Sequence, residues 1–176
     1  MEYESNPQWT IRDLKLEDSD KLHELLREVH RVTYRNDALG VTEDKLTARF
    51  GKYTPEERRK RLKERMSRSD SQTYIALDPS GEVIGMVVTS IDEDGSRRLG
   101  ALNVSPAAHG SGLAHELMQK AIDWLGAEND IKLDVATYNE RAKAFYRKWN
   151  FKEVPGSESL FDGLIPQITM IRKGAK

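Results

Sequence analysis

The sequence predicts a single α/β domain over residues 1–176 in which short strands alternate with amphipathic helices. Three observations carry this. Period-2 and period-3.6 hydrophobic patterns alternate along the chain. The 176 residues, 38% of them hydrophobic, are enough for one sizeable core, whereas two separate domains would each be small. The stretch SPAAHGSGLAHELM (105–118) sets proline, serine and two glycines between a strand and the first turns of a helix.

Trp9 and Ile11 mark a first strand. Asp18 is the expected N-cap of a helix whose apolar face is Leu22, Leu25, Leu26 and Val29. Thr54 and Glu57 have capping-box spacing with Pro55 at the first helical position, so a second helix starts there. Its run of basic residues from Arg58 to Arg68 reads as a solvated face, because Glu56, Glu57 and Glu64 stand four residues before Lys60, Arg61 and Arg68. TYIALDPSGEVIGMVVTS is a hairpin turning at Asp78-Pro79-Ser80-Gly81, and RRLGALNVSP is the next strand. Leu113, Leu117, Ala121 and Trp124 give the following helix its buried stripe. IKLDVAT is a strand. NERAKAFYRKWN is a helix with Asn139 as N-cap, an apolar face of Ala142, Phe145, Tyr146 and Trp149, and Asn150 as its stop. Two extended runs complete the chain.

Composition excludes several function classes. Twenty-eight basic against 29 acidic residues leave a net charge of −1, so no global field favours nucleic acid or a membrane surface. No window approaches the about 18 apolar residues of a membrane span, and the first residues lack the apolar core of a secretory signal, which points to the cytoplasm. The absence of cysteine removes disulfides, thiolate metal sites and a cysteine acyl-enzyme. His23, His30, His109 and His115 show no metal-ligand spacing, so no metal is expected.

A glycine-containing turn before a helix leaves the first-turn N–H groups pointing outward, where the helix dipole favours an anion. Glycine also lets backbone approach a ligand closely. A P-loop would need Gly-Lys-Ser/Thr, and a dinucleotide fingerprint would need glycine where His115 stands. LNVSPAAHGSGLAHELM instead resembles the acetyl-CoA pyrophosphate loop of the GNAT superfamily of N-acetyltransferases. Val104, Pro106, Gly112 and Ala114 match its pattern, and His109 replaces the usual arginine or glutamine. NERAKAFYRKWNF resembles the second signature of the same family through Asn139, Ala142, Phe145, Tyr146 and Phe151, with Asn150 in place of glycine.

The resemblance implies a three-layer fold. A mostly antiparallel sheet of about seven strands would have two central parallel strands splaying apart, with about four helices flanking it. It implies acetyl-CoA as co-substrate: main-chain groups of Leu102, Asn103 and Val104 would meet the pantetheine arm, and His109, Gly110, Ser111, Gly112, Leu113 and Ala114 the pyrophosphate. Asn139 would be N-cap, cofactor contact or both, and Tyr146 the acid that protonates the departing thiolate. The implied activity is direct acetyl transfer to a primary amine of a small molecule or peptide, with neither nucleic acid nor membrane as partner.

The strand before the loop carries no carboxylate for a base. Glu82, Asp92, Asp134 and His30 are alternatives, as is a water chain. Neutral His109 would help a pyrophosphate less as pH rises past about 6.5. The segment from His30 to Arg61 would line the acceptor side. It is reminiscent of small-amine and polyamine acetyltransferases, while its basic residues equally suit an acidic acceptor. A catalytically weak acyl-CoA sensor of the same fold is the alternative function, and the edges of SLFDGLIPQITMIR leave room for a homodimer.

Overall fold

The computed structural model describes residues 8–176. Residues 1–7, the start of the expected domain, lie outside the described residues. The strands are β1 (Thr10–Asp13), β2 (Ser71–Leu77), β3 (Val83–Ile91), β4 (Arg97–Val104), β5 (Ile131–Ala136), β6 (Phe151–Glu153), β7 (Ser159–Phe161) and β8 (Ile165–Arg172). They form one eight-stranded sheet in the order β1-β2-β3-β4-β5-β8-β6, with β7 also paired to β8. Every pairing is antiparallel except that of β4 with β5.

Alternation along the strands sends successive side chains to opposite faces. On one face Ala76, Val87, Leu99, Leu133 and Met170 meet α4 (Leu113–Leu125) and Tyr146 of α5 (Glu140–Lys148). On the other, Ile75 and Met86 meet Leu22, Leu25 and Val29 of α1 (Ser19–Tyr34) and Leu62 of α3 (Pro55–Met66). A third, smaller cluster seats Leu46 of α2 (Glu43–Phe50) against Val41, Ala136 and Ile165. This is the expected three-layer arrangement, with one strand and one helix more than expected. The additions are short: α2 buries only Leu46, and all three residues of β7 are exposed.

The feature that creates the site is a slip in register. Val88 pairs with Ala101 and Thr89 with Leu99, so Gly100 is an extra residue in β4. A bulge of this kind bends its strand. The parallel ladder between β4 and β5 consists of Arg97↔Ile131 and Arg98↔Lys132, and it ends two residues before Gly100. Beyond that point β4 bonds to β3 alone, and the two central strands part.

Two local expectations change. Asp18 stands at the N-cap position of α1, as expected, but its side chain does not cap the helix. Its carboxylate accepts from the Lys15 N–H at 2.7 Å and takes both Arg12 Nη atoms at 2.8 Å, closing the preceding 3₁₀ turn instead. Along α3 the capping box of Thr54 and Glu57 forms, but the three expected i,i+4 ion pairs do not, among the described residues. Glu57 is engaged at the Thr54 N–H, Arg61 lies 4.4 Å over the Tyr53 ring, and Arg68 pairs with Asp70. Asn150 does end α5, in the left-handed conformation at φ +66°.

Candidate active site

The parting of β4 and β5 opens a cleft whose walls come from both signatures. Leu102, Asn103 and Val104 form the β4 wall after the bulge, with Asn103 and Val104 buried. Ser105 then donates its N–H to Ile84 O at 2.8 Å and turns the chain into the loop.

The helix that follows begins at Leu113. Gly112 is its N-cap, at φ +95°, with no side-chain cap. Serine or aspartate there would satisfy first-turn donors; glycine leaves them open. The Leu113 N–H reaches Ser111 Oγ at 3.3 Å, while the amides of Gly110, Gly112 and Ala114 donate to no protein group among the described residues. Gly110 is also left-handed, at φ +76°. A side chain at 110 or 112 would meet open space, so backbone conformation and the open side of the loop, not internal crowding, call for glycine.

His109 takes a role the sequence did not suggest. Its Nε2 stands 3.1 Å from Val104 O, and its Nδ1 faces Nη1 of Arg141 in the first turn of α5. Both contacts are satisfied by one neutral tautomer: Nε2–H donates to the carbonyl and Nδ1 accepts from the guanidinium. Burial, and then Arg141, push the His109 pKa below its ordinary value. The expected loss of charge therefore lies on the acid side of neutrality, and the permanent charge near the loop is that of Arg141. Sequence reading missed it because α4 and β5 separate the two residues in the chain.

Asn139 is the N-cap of α5, its Oδ1 accepting from the Ala142 N–H at 3.1 Å; its amide nitrogen donates to no protein group among the described residues. Tyr146, two turns along, is 8% exposed, with the rings of Phe145 and Phe151 5.7 and 5.9 Å away. Burial, reinforced by Tyr34, drives its pKa well above the ordinary phenol value, so the hydroxyl keeps its proton at physiological pH.

The four candidate bases separate. Asp134 is held by Arg98 at 2.8 Å and Thr169 at 2.6 Å, Asp92 lies 3.4 Å from both Arg98 and Lys132, and Glu82 pairs with Lys21 at 3.3 Å. His30 stacks edge-on to Tyr34 and Phe50, and its Nδ1 lies 3.2 Å from Arg49 Nη1. Burial and then Arg49 lower its pKa to about 4. With Nδ1 accepting from Arg49, the proton sits on Nε2, which makes His30 a donor and not a base.

Beside Ser105 lies a cavity of about 630 Å³ between α1, α2 and the start of β3. Glu24, Glu28, Glu43 and Glu82 line it, together with Lys21, Arg27 and Arg31. Three of the glutamates pair with cations, Glu24 with Arg27, Glu43 with Arg35 and Glu82 with Lys21. Glu28 has no ion-pair partner among the described residues. The basic run of α3 opens elsewhere, so this cavity is more acidic than the composition of the segment from His30 to Arg61 suggested.

The family model described as Acetyltransferase (GNAT) family matches residues 38–151, most of the chain. The chain belongs to the GNAT acetyltransferases. As a GNAT protein it is an acyltransferase, and solved structures share its fold over nearly their whole length. The PaiA N-acetyltransferase of Thermoplasma acidophilum, in complex with coenzyme A, is 23% identical, with TM-score 0.75 over 95% of this chain and 99% of that one. A GNAT acetyltransferase of Streptococcus pneumoniae is 22% identical, TM-score 0.68, over 95% and 99%. The spermidine N-acetyltransferase of Vibrio cholerae, with CoA and spermine, is 20% identical, TM-score 0.67, over 94% and 95%. No curated protein matches the sequence. Among the described residues of this GNAT chain, no helix is long and apolar enough to cross a membrane.

Proposed function

We propose that the protein is an acetyl-CoA-dependent N-acetyltransferase acting directly on a primary amine of a small cationic acceptor. The observation that carries this reading is the parting of β4 and β5 at the Gly100 bulge, with the free amides of Gly110, Gly112 and Ala114 in the loop after β4 and the buried Tyr146 in the helix after β5. The donors fit the cofactor: the amides of Gly110, Gly112 and Ala114 suit the pyrophosphate, Arg141 adds fixed positive charge, and the edge of Leu102 to Val104 that faces away from β3, with no partner strand, suits the pantetheine arm. An N–H there would polarise the thioester carbonyl.

In the reaction the neutral amine nitrogen forms a bond to the thioester carbonyl carbon, and the carbon–sulfur bond breaks. Tyr146 gives its proton to the leaving sulfur. The proton lost by the amine leaves through water, and its equivalent restores Tyr146. Glu28, free of a cationic partner in a cavity that adjoins Ser105, supports an acceptor carrying more than one ammonium group. Relatives of the same fold that act on spermidine agree with that class.

Thiol release from acetyl-CoA across a panel of amines tests the reading. Diamines and polyamines are expected to give kcat/KM at least about tenfold above neutral or acidic amines, roughly the yield of one extra ion contact in a partly buried site. No release with any amine, despite acetyl-CoA binding, would favour the sensor alternative.

Arg141 supplies a second test. Arg141→Ala is expected to weaken acetyl-CoA binding about tenfold, equally at pH 6.5 and 8.5, because guanidinium does not titrate there. His109→Arg would set two guanidinium groups together and gain little. Calorimetry showing tighter binding in His109→Arg at high pH, with Arg141→Ala unaffected, would return the role to residue 109.

A further inference from the structure

On the far side of α1 from the acidic cavity lies a second one of about 800 Å³, closed by α3 and the ends of β2 and β3. Its lining separates into two parts. Leu22, Leu26, Leu62, Val88 and Ile91 make an apolar floor continuous with the α1–α3 core. Arg58, Arg61 and Arg65 line it from successive turns of one face of α3, and Arg68 lines it from just past the end of that helix.

Some of these arginines are already engaged. Arg68 is bonded twice to Asp70, and Arg61 rests on the Tyr53 ring. Arg58 donates to Tyr53 O at 3.0 Å and approaches Asp20 at 3.5 Å, which leaves its buried Nε without a partner. Arg65 makes no ion pair and no side-chain hydrogen bond among the described residues, and its Nε is buried and unpartnered as well. Of the acids in the lining, Asp92 is held by Arg98 and Lys132, and Glu64 is exposed.

A half-buried guanidinium with nothing to accept from it is costly, and proteins pair such groups as a rule. Burial already pushes the Arg65 pKa down. An anion in the cavity would meet the accessible Nη atoms of Arg65 and Arg58, whose Nε atoms are buried beneath, and guanidinium groups match a carboxylate or phosphate. The floor of leucine, valine and isoleucine demands more than a bare ion: it would be covered by an apolar body attached to the charge.

We propose that the cavity between α1 and α3 is a second ligand site, separate from the acetyl-transfer cleft, that binds a small organic anion. Arg65 and Arg58 hold the carboxylate or phosphate, Arg61 guards the rim, and Leu26 and Val88 seat the apolar part. This site stands independently of the acceptor assigned above.

Titration of phenyl phosphate, benzoate and inorganic phosphate into the full chain tests it, followed by calorimetry and by the Nε–Hε resonance of Arg65. Phenyl phosphate or benzoate is expected to saturate with Kd near about 1 mM or below, the range open to ligands of this size. The tighter of the two identifies the anion, and inorganic phosphate should bind at least about fivefold more weakly than phenyl phosphate. Arg65→Met should weaken binding by about tenfold or more while melting no lower than wild type, since it removes an unpaired charge. Arg61→Ala, at an exposed position, should cost several-fold and serves if the first variant fails to fold. Saturating acetyl-CoA should leave the probe affinity unchanged. No saturation by about 20 mM, wild-type affinity in the folded variants, inorganic phosphate binding as tightly as phenyl phosphate, or displacement of the probes by acetyl-CoA would each overturn the proposal.

Discussion

Tyr146→Phe is expected to lower kcat by about 100-fold while leaving acetyl-CoA affinity within about twofold of wild type. The substitution deletes one oxygen from a ring already packed between Phe145 and Phe151, so the fold keeps its apolar contacts. What disappears is the proton for the leaving sulfur, and general-acid assistance of this kind contributes roughly 100- to 10,000-fold. Because burial holds the phenol protonated far above neutrality, wild-type activity should show no falling limb from this group between pH 6 and 9. Stopped-flow turnover paired with calorimetric binding separates the two quantities. A kcat within about threefold of wild type would reduce Tyr146 to a packing residue.

The second large effect is expected at the N-cap of α4. Gly112→Glu should lose acetyl-CoA binding by more than about 100-fold, and Gly112→Ala by about tenfold. Both variants force a Cβ into φ +95°, which costs roughly 1–2 kcal/mol for an L-residue. Only the glutamate adds a carboxylate beside the amides of Gly110, Gly112 and Ala114, where like charges across a contact cost several kcal/mol. The pair therefore divides backbone strain from electrostatics. Equal losses in the two variants would mean that no phosphate sits against these amides. Thermal melting without ligand checks that each variant still folds.

The sequence disclosed most where local chemistry and periodicity agree. The hairpin at Asp78-Pro79-Ser80-Gly81, the capping box at Thr54, the Asn139 cap and the Leu113–Leu117–Ala121 stripe all rest on interactions within one or two turns, and each forms. Segments with little to bury were harder. The helix Glu43–Phe50 hides one side chain, and the strand Ser159–Phe161 hides none, so neither leaves a periodic trace. Asp18 had the right residue type for a cap, but Arg12, six positions back, competed for its carboxylate.

At the site, the loop glycines were visible because turn geometry writes itself into residue choice. The Gly100 bulge was not read from the sequence, although a glycine inside a strand is a signal for one. Arg141 and Glu28 were not visible. Their importance comes from what folding places beside them, His109 in one case and a cavity wall in the other, and no short-range pattern encodes that. The same holds for His30, whose candidacy as a base depended on whether Arg49 would occupy its free nitrogen.

The short parallel ladder has a mechanical meaning. With two residues of pairing between them, the leaf made by β1 to β4 and the leaf made by β5 to β8 are joined within the sheet by that ladder alone, and otherwise through the core they share beneath α4. A long ligand threaded along that seam would act as a missing strand, so cofactor binding is expected to stiffen the sheet across both leaves rather than one loop.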